Sequence, residues 1–489
     1  MKSLLFGATL LFFPYVLLAQ TEGTLGIMTS LPQHVDINPA FIPTFKSSFT
    51  LPGTSFGLFY SNNGFTYNDL VSRQQNGSSI ADLAKLRGTL KPENYITTAF
   101  SVDLFRASFR INKKLLMSLG ALGKTYSRLM LPKDVVNLLV DGNHSTISGT
   151  GLSTYVFNPQ AEALSLIEMY VGGAYQINSK LTIGLRLKYL KGLANVSTQN
   201  ANFSLTTDNS NYSIAASGSA NIRTSGIFNF SQSGYRFKLG DYLTNNGVGV
   251  DIGATYQVTD KLTLAASLLD IGQITWSNNL YGYSLDPAKA NYTFSGFDLN
   301  KLVTNEPNYV QSITDSIQNK FKFIEKSIDP YSTVLPMRAY VSASYALRYR
   351  INLSGVLFSE NFAGRFNQGI TLGANKHFGK WFSLAGSYTI SNNSFNNLGA
   401  GFSLNLSVVQ FFMVGDNLLR LPLSGSELNS FANSTQYFNL RAGLNFVLGW
   451  NPAEAGNAVN RDDFQMKGRK PKVKIKLGRA ADFKKKKGR

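Results

Sequence analysis

YVGGAYQINSKLTIGLRLKY, residues 170–189, is the stretch whose reading decides the fold. After a short turn at Asn178-Ser179-Lys180, the apolar residues Leu181, Ile183, Leu185, Leu187 and Tyr189 alternate with Thr182, Gly184, Arg186 and Lys188. A strict period of two gives a strand with one apolar and one polar face. The pattern returns at residues 249–268 as GVDIGATYQVTDKLTLAASL and more loosely at residues 372–388, LGANKHFGKWFSLAGSY. Looser copies lie at residues 105–120 (FRASFRINKKLLMSLG) and 341–355 (VSASYALRYRINLSG). Five related hairpins along one chain imply a meander of antiparallel strands.

The hairpins run from end to end of a 489-residue chain without a change of pattern, so one large sheet is expected rather than several soluble domains. Residues 1–19 read as a secretory signal, with Lys2, an apolar run at 4–18 interrupted by Pro14, and a cut near Ala19-Gln20. No other run reaches the length of about 18 apolar residues that a membrane helix needs. Cysteine is absent, which excludes disulfides, thiolate metal sites and a lipidated Cys. A secreted sandwich and an outer-membrane barrel share this composition and differ in what the apolar face meets. Tyr175, Tyr189, Tyr256, Trp276, Tyr345, Tyr388 and Trp450 fall near strand ends, and short turns alternate with long loops. Both features favour a transmembrane antiparallel up-and-down β-barrel, all-β, whose outer face meets outer-membrane lipid and lipopolysaccharide.

Residues 20–46 carry Pro32, Pro39 and Pro43 and are expected outside the wall, below the barrel or inside it as a plug. The barrel is expected over residues 47–450 and a basic tail over residues 451–489. The strands number about fourteen. Their even count is required if both chain ends lie on the short-turn, periplasmic side. Residues 195–225 predict a hairpin standing above the bilayer. Small helices are expected in the loops: a Ser-capped one at residues 79–86, and an amphipathic one at residues 310–327, packed on or into the barrel mouth.

Several short motifs occur together: Leu131-Pro132-Lys133-Asp134 with Asp141-Gly142-Asn143, Leu269-Asp270-Ile271-Gly272 before Trp276, Leu335-Pro336 ahead of Tyr340, and Gly415-Asp416-Asn417. Together they resemble a Bacteroidota outer-membrane barrel family catalogued as a domain of unknown function. Asn38-Pro39-Ala40 is similar to the N-terminal segment of fatty-acid-transporter-like and PorV-type barrels. That resemblance implies fourteen strands with a chain end folded into the lumen, and it supplies no catalytic or binding residues.

Three histidines, His34, His144 and His377, form no metal-like spacing, and no catalytic motif is present, so no enzyme, metal or cofactor is expected. The wall is more telling. If Phe105, Ala107 and Phe109 face lipid, Arg106 and Arg110 point inward, as by the same parity do Arg186, Lys188, Asp251 and Arg441. A cation at the lipid midplane costs roughly 2–4 kcal/mol, which favours that assignment. Such a ring would either attract anions, among them the carboxylate of an amphipathic solute, or pair with acidic loop or plug residues. Asp103 shares the parity of Phe105 and fits only at the outer interface or beside a bulge.

From residue 461 to 489 there are 13 Lys and Arg against 3 acidic residues. An exported chain meets no nucleic acid, so the reachable counterparts are a periplasmic protein, peptidoglycan or anionic membrane. Within the tail, Val473, Ile475 and Leu477 alternate with lysines ahead of Lys484, Lys485, Lys486 and Lys487. This suits either a strand added to a partner's sheet edge or a disordered basic tail. Two functions are therefore open: a channel for small solutes, hydrophobic ones included, or an accessory barrel of envelope machinery of the type IX secretion or gliding kind.

Overall fold

The structure is a computed structural model. It describes residues 22–73, 78–143, 151–227, 238, 240, 243–296, 308–362, 364–391, 394–417 and 437–449. The signal segment, His144, Trp450 and the basic tail lie outside the described residues.

A closed barrel of 14 antiparallel strands forms the wall. Strand β1 runs in two pieces, Ser47–Thr50 and Ser55–Asn62, followed by β2 (Glu93–Arg110), β3 (Leu115–Pro132), β4 (Gln160–Gln176) and β5 (Leu181–Asp208). Next come β6 (Asn245–Gln257), β7 (Leu262–Trp276), β8 (Met337–Ala346), β9 (Ile351–Phe362) and β10 (Arg365–Phe378). The last four are β11 (Phe382–Ser391), β12 (Ser394–Leu406), β13 (Val409–Asp416) and β14 (Tyr437–Leu448). Closure comes from β14 pairing with both pieces of β1, Ser47 opposite Leu448 and Ser61 opposite Tyr437. The two ends of the wall meet at the short-turn side, where the Lys46 amide donates to the Leu448 carbonyl at 2.9 Å. The break in β1 falls at Leu51-Pro52-Gly53-Thr54, where Pro52 has no ladder donor and Gly53 takes a φ of +71°.

Period-two alternation sorts the wall into two faces. Val171, Leu185, Leu187, Leu353, Leu357 and Leu372 stand exposed on the outside. Tyr175, Tyr256, Tyr345 and Trp381 form an exposed aromatic belt at the short-turn end, with Tyr189 and Tyr388 higher on the wall. Trp276 departs from the girdle expected of it. It is fully buried, donates to the Thr333 hydroxyl at 3.0 Å and packs beside Tyr331. The cause is a bulge at Asp270, whose φ is 59°: the pairing slips between Val250 and Ile252, so odd positions face inward before it and even ones after it. A second bulge, between Asp103 and Phe105 on β2, settles the parity conflict at Asp103 by turning it inward beside Arg106.

Beyond the rim, β5 continues to Asp208 and turns back as Ile214–Ser225, placing residues 195–225 in a hairpin above the wall. Leu280–Leu285, Asn291–Phe294 and Ile324–Ser327 extend this upper sheet, and Leu152–Phe157 pairs with the far end of β5. Four helices occupy the described loops: α1 (Tyr67–Leu70), α2 (Leu83–Thr89), α3 (Lys133–Asp141) and α4 (Tyr309–Lys320).

Two helix expectations are corrected. Ser79–Ala81 is a strand paired with Val71–Arg73, and α2 begins later because Asp82 is the better cap, accepting the Lys85 amide at 2.9 Å. That hydrogen bond, more than the Ser72 hydroxyl, draws the Asp82 carboxyl below its usual range. The helical spacing at 310–327 also overreaches. Helix α4 stops at Lys320 because Ile324–Ser327 finds an open strand edge at Tyr281–Ser284, and α4 buries none of its residues.

Leu185 lies at mid-height on the lipid face, so Leu185→Arg is expected to lower folding free energy by about 2–4 kcal/mol. Urea titration of refolding into vesicles measures this; an unchanged midpoint would place Leu185 off the lipid face.

Candidate functional site: a plugged, charge-paired lumen

Residues 22–45 fill the lumen and are almost wholly buried there. Of the two positions open to this Pro-rich segment, it takes the one inside the barrel. Its backbone makes no strand, so side chains tie it to the wall. The Thr24 amide and hydroxyl donate to Asp416, the amide at 3.1 Å. Ser30 meets Ser383 and Ser403 at 2.7 and 3.2 Å, and the Gln33 amide donates to Asn445 at 2.7 Å. Asn38 donates to the carbonyls of Ala254 on β6 and Ala266 on β7, at 3.1 and 3.2 Å, while its own oxygen accepts the Ala40 amide. Wall glycines make the room. A Cβ on Gly184 would come within 2.2 Å of the Pro39–Ala40 backbone, and one on Gly253 within 2.2 Å of the Asn38 oxygen.

The ionic centre is Asp36, at the end of a 3₁₀ turn (Pro32–Asp36) that Pro32 starts. Arg106 on β2 grips its carboxylate in a fork, at 2.9 and 2.8 Å. Arg441 on β14 donates to it at 2.6 Å and to Glu22 at 3.0 Å. Arg186 on β5 reaches it at 3.2 Å, donates to the Val35 carbonyl at 2.8 Å and lies over the Tyr170 ring. Asp103 accepts a further bond from Arg106 at 2.9 Å, which is what the β2 bulge makes possible.

A second cluster lies beside the first. Lys188 bridges Asp270 at 2.5 Å and Asp251 at 2.7 Å, with Glu168 at 3.4 Å. Lys124 pairs with Glu168 at 2.7 Å and Arg338 with Asp270 at 2.7 Å. Asp251 also lies 3.6 Å from Arg186 and so joins the two clusters. What remains open is a cavity of about 50 Å³ lined by Glu22, Asp36, Lys124, Arg186, Arg338 and Arg441. Ligand pockets run to about 300–1,000 Å³, so with the plug seated this cavity among the described residues is too small for a drug-sized solute.

The lumen-facing candidates thus fall in one network, except Arg110, which donates to the Pro43 carbonyl near the short-turn end. Sequence reading missed Glu22, Asp36, Lys124, Glu168 and Arg338 as members. Inward parity on β3, β4 and β8 was the available signal for the last three. His34 Nδ1–H donates to the Leu25 carbonyl at 3.1 Å and packs against the Phe41 ring, while His377 lies near the end of β10. Among the described residues no group of His, Asp and Glu is arranged to hold a metal ion.

Residues 39–416 match the family described as a family of unknown function (DUF5723). The chain belongs to that family. The match runs from Pro39 to Asp416 and so takes in Arg106, Arg186 and Asp270 but not Glu22, Asp36 or Arg441. No curated protein matches the sequence. Among solved structures, the chain is similar to a mutant of the monoaromatic hydrocarbon channel TodX, at 11% identity over 85% of this chain and 94% of that one, with a TM-score of 0.39. It is also similar to a Pseudomonas aeruginosa FadL homologue, at 9% identity over 89% of this chain and 100% of that one, with a TM-score of 0.37.

Removing Asp36 leaves three buried guanidinium groups short of a partner, a loss of about 3–5 kcal/mol for the seated plug. A single cysteine at Ser30, in a chain otherwise without Cys, reports on the seat. Charged maleimides are expected to label it slowly in an otherwise native chain and rapidly with Asp36→Ala or Gly184→Val. Equal labelling rates would mean that these contacts do not hold the plug.

Proposed function

We propose that this protein is an outer-membrane channel for small solutes, closed at rest by its own N-terminal segment, with short turns and both ends of the barrel on the periplasmic side. The observation that carries this reading is how the lumen is closed. The stopper is a segment without strand structure, held by side-chain hydrogen bonds and ion pairs to seven or more wall strands, and it contributes no strand to the barrel. A closure of that kind can leave while the wall's own ladder stays intact.

The second reading, an accessory barrel for envelope machinery, draws support from charge. Residues 461–489, which follow the last wall strand in sequence, carry 13 Lys and Arg, a charge that would suit a periplasmic protein or peptidoglycan. In that case deletion of residues 460–489 removes a specific partner from pull-downs, and Val473→Lys with Ile475→Lys does the same despite the added charge.

Planar bilayers distinguish the two. Full-length protein is expected to open rarely, and Gly184→Val to open often with the same unit conductance. If Gly184→Val migrates as a folded, heat-modifiable barrel with its Ser30 position exposed and still conducts nothing, the channel reading falls.

A further inference from the structure

The arginines that hold Asp36 belong to the wall, whereas Asp36 itself belongs to the segment lodged against it. Among the described lumen groups joined by ion pairs, the wall supplies six cations: Arg106, Lys124, Arg186, Lys188, Arg338 and Arg441. It supplies four carboxylates, Asp103, Glu168, Asp251 and Asp270. The plug brings the other two, Glu22 and Asp36. With the plug seated, this layer is neutral. With the plug out, this ion-paired set loses two carboxylates, and the positive charge left without its partner lies nearest Arg106, Arg186 and Arg441.

The geometry around Asp36 is that of a carboxylate receptor. Guanidinium forks match a carboxylate's two oxygens: both Asp36 oxygens accept from the Arg106 fork, and Arg186 and Arg441 each donate one further bond. The receptor also has donors in excess. The Nε–H groups of Arg106, Arg186 and Arg441 are all buried and have no protein acceptor. The remaining cavity opens directly beside Asp36, Arg186 and Arg441.

We propose that Arg106, Arg186 and Arg441 form a binding site for the carboxylate of a small organic anion, with Asp36 as its built-in competitor. This rests on the channel reading and names the class of solute that the channel takes. An entering carboxylate bonds the free donors first and then replaces Asp36, so the arginines stay paired throughout. The plug can then leave without stranding three buried cations, a cost that adds to its apolar contacts in keeping it seated. A neutral molecule of the same shape offers the arginines no charge and leaves Asp36 in place.

The test uses full-length protein in planar bilayers at constant ionic strength. With native protein, replacing part of the chloride by acetate or benzoate is expected to raise the opening frequency about tenfold, and acetamide or benzamide to leave it unchanged. With Gly184→Val, whose pore needs no carboxylate to open, the reversal potential in a KCl gradient is expected to lie toward the chloride value. Adding Arg106→Gln and Arg441→Gln should move it toward zero. If those variants do not fold, the acetate and acetamide comparison on the native chain still decides. Equal responses to acetate and acetamide, or a Gly184→Val pore without anion preference, would overturn the carboxylate site and leave the channel reading standing. A folded Gly184→Val barrel without conductance would instead remove the channel reading beneath it.

Discussion

One carboxylate held by three arginines from three parts of the wall is the interaction on which the rest of this structure depends. Arg106, Arg186 and Arg441 come from β2, β5 and β14, so Asp36 ties the plug to both sides of the barrel's closure and to its far wall. Each arginine sits on a strand whose other face meets lipid. Turning it outward would cost roughly 2–4 kcal/mol at mid-depth, and leaving it unpaired inside would cost more. The ladder closes without the plug, but these three arginines lose their Asp36 partner when it leaves. The plug, having no strands of its own, cannot hold a conformation without the wall.

Parity enforces this arrangement. A strand that alternates in and out has no freedom to choose which side chains meet the lumen, except at bulges. Two bulges are placed where that freedom is used. The one on β2 lets Asp103 and Arg106, three positions apart, face the same side and pair. The one at Asp270 brings Asp270 inward to meet Lys188 and Arg338, and sends Trp276 into the buried aromatic layer with Tyr331 and Leu335. The same irregularity thus serves the ionic layer and the apolar layer above it. This gives a physical reason for the Leu269-Asp270-Ile271-Gly272 motif: Asp270 needs the left-handed backbone, and a Cβ on Gly272 would strike the Val248 carbonyl at 2.2 Å.

Much of the wall was legible from residues 170–189 outward, because a membrane barrel writes its two solvents into alternate positions. Strand number, closure and the inward side of Arg106, Arg186, Lys188, Asp251 and Arg441 all follow from that code. What the code does not contain is where the pattern slips. Asp103 announced a slip by its charge, while Asp270 and Trp276 did not, because a lone aromatic near a strand end reads equally well on either face. The plug was legible as something unable to join a sheet, since prolines remove ladder donors. Its seat was not, because Asp36 in a loop-like stretch carries no periodicity, and its partners lie 70, 150 and 405 residues away. In the loops, helical spacing at 310–327 was outweighed by a strand edge that only the folded upper sheet presents.

The use of ions beside apolar side chains in the seat is informative in itself. Replacing a buried ion pair with well-packed hydrophobic residues is often neutral or stabilising, so a network like this is poorly explained as a means of tightening the barrel. Its distinctive property is exchange. An apolar plug leaving its seat exposes surface that nothing small can cover, whereas a carboxylate leaving three arginines can be replaced by another carboxylate of any origin. The apolar contacts of the plug, Leu25, Ile27, Met28, Leu31 and Ile37 against Val356, Phe358, Phe412 and Val414, form one buried cluster that adjoins the ionic centre at Ile37 and Leu269. Attachment is thereby divided between a part that gives the plug a fixed resting place and a part that can be contested. A seat divided in this way closes the barrel firmly in the absence of a competitor and leaves one chemically defined means of release.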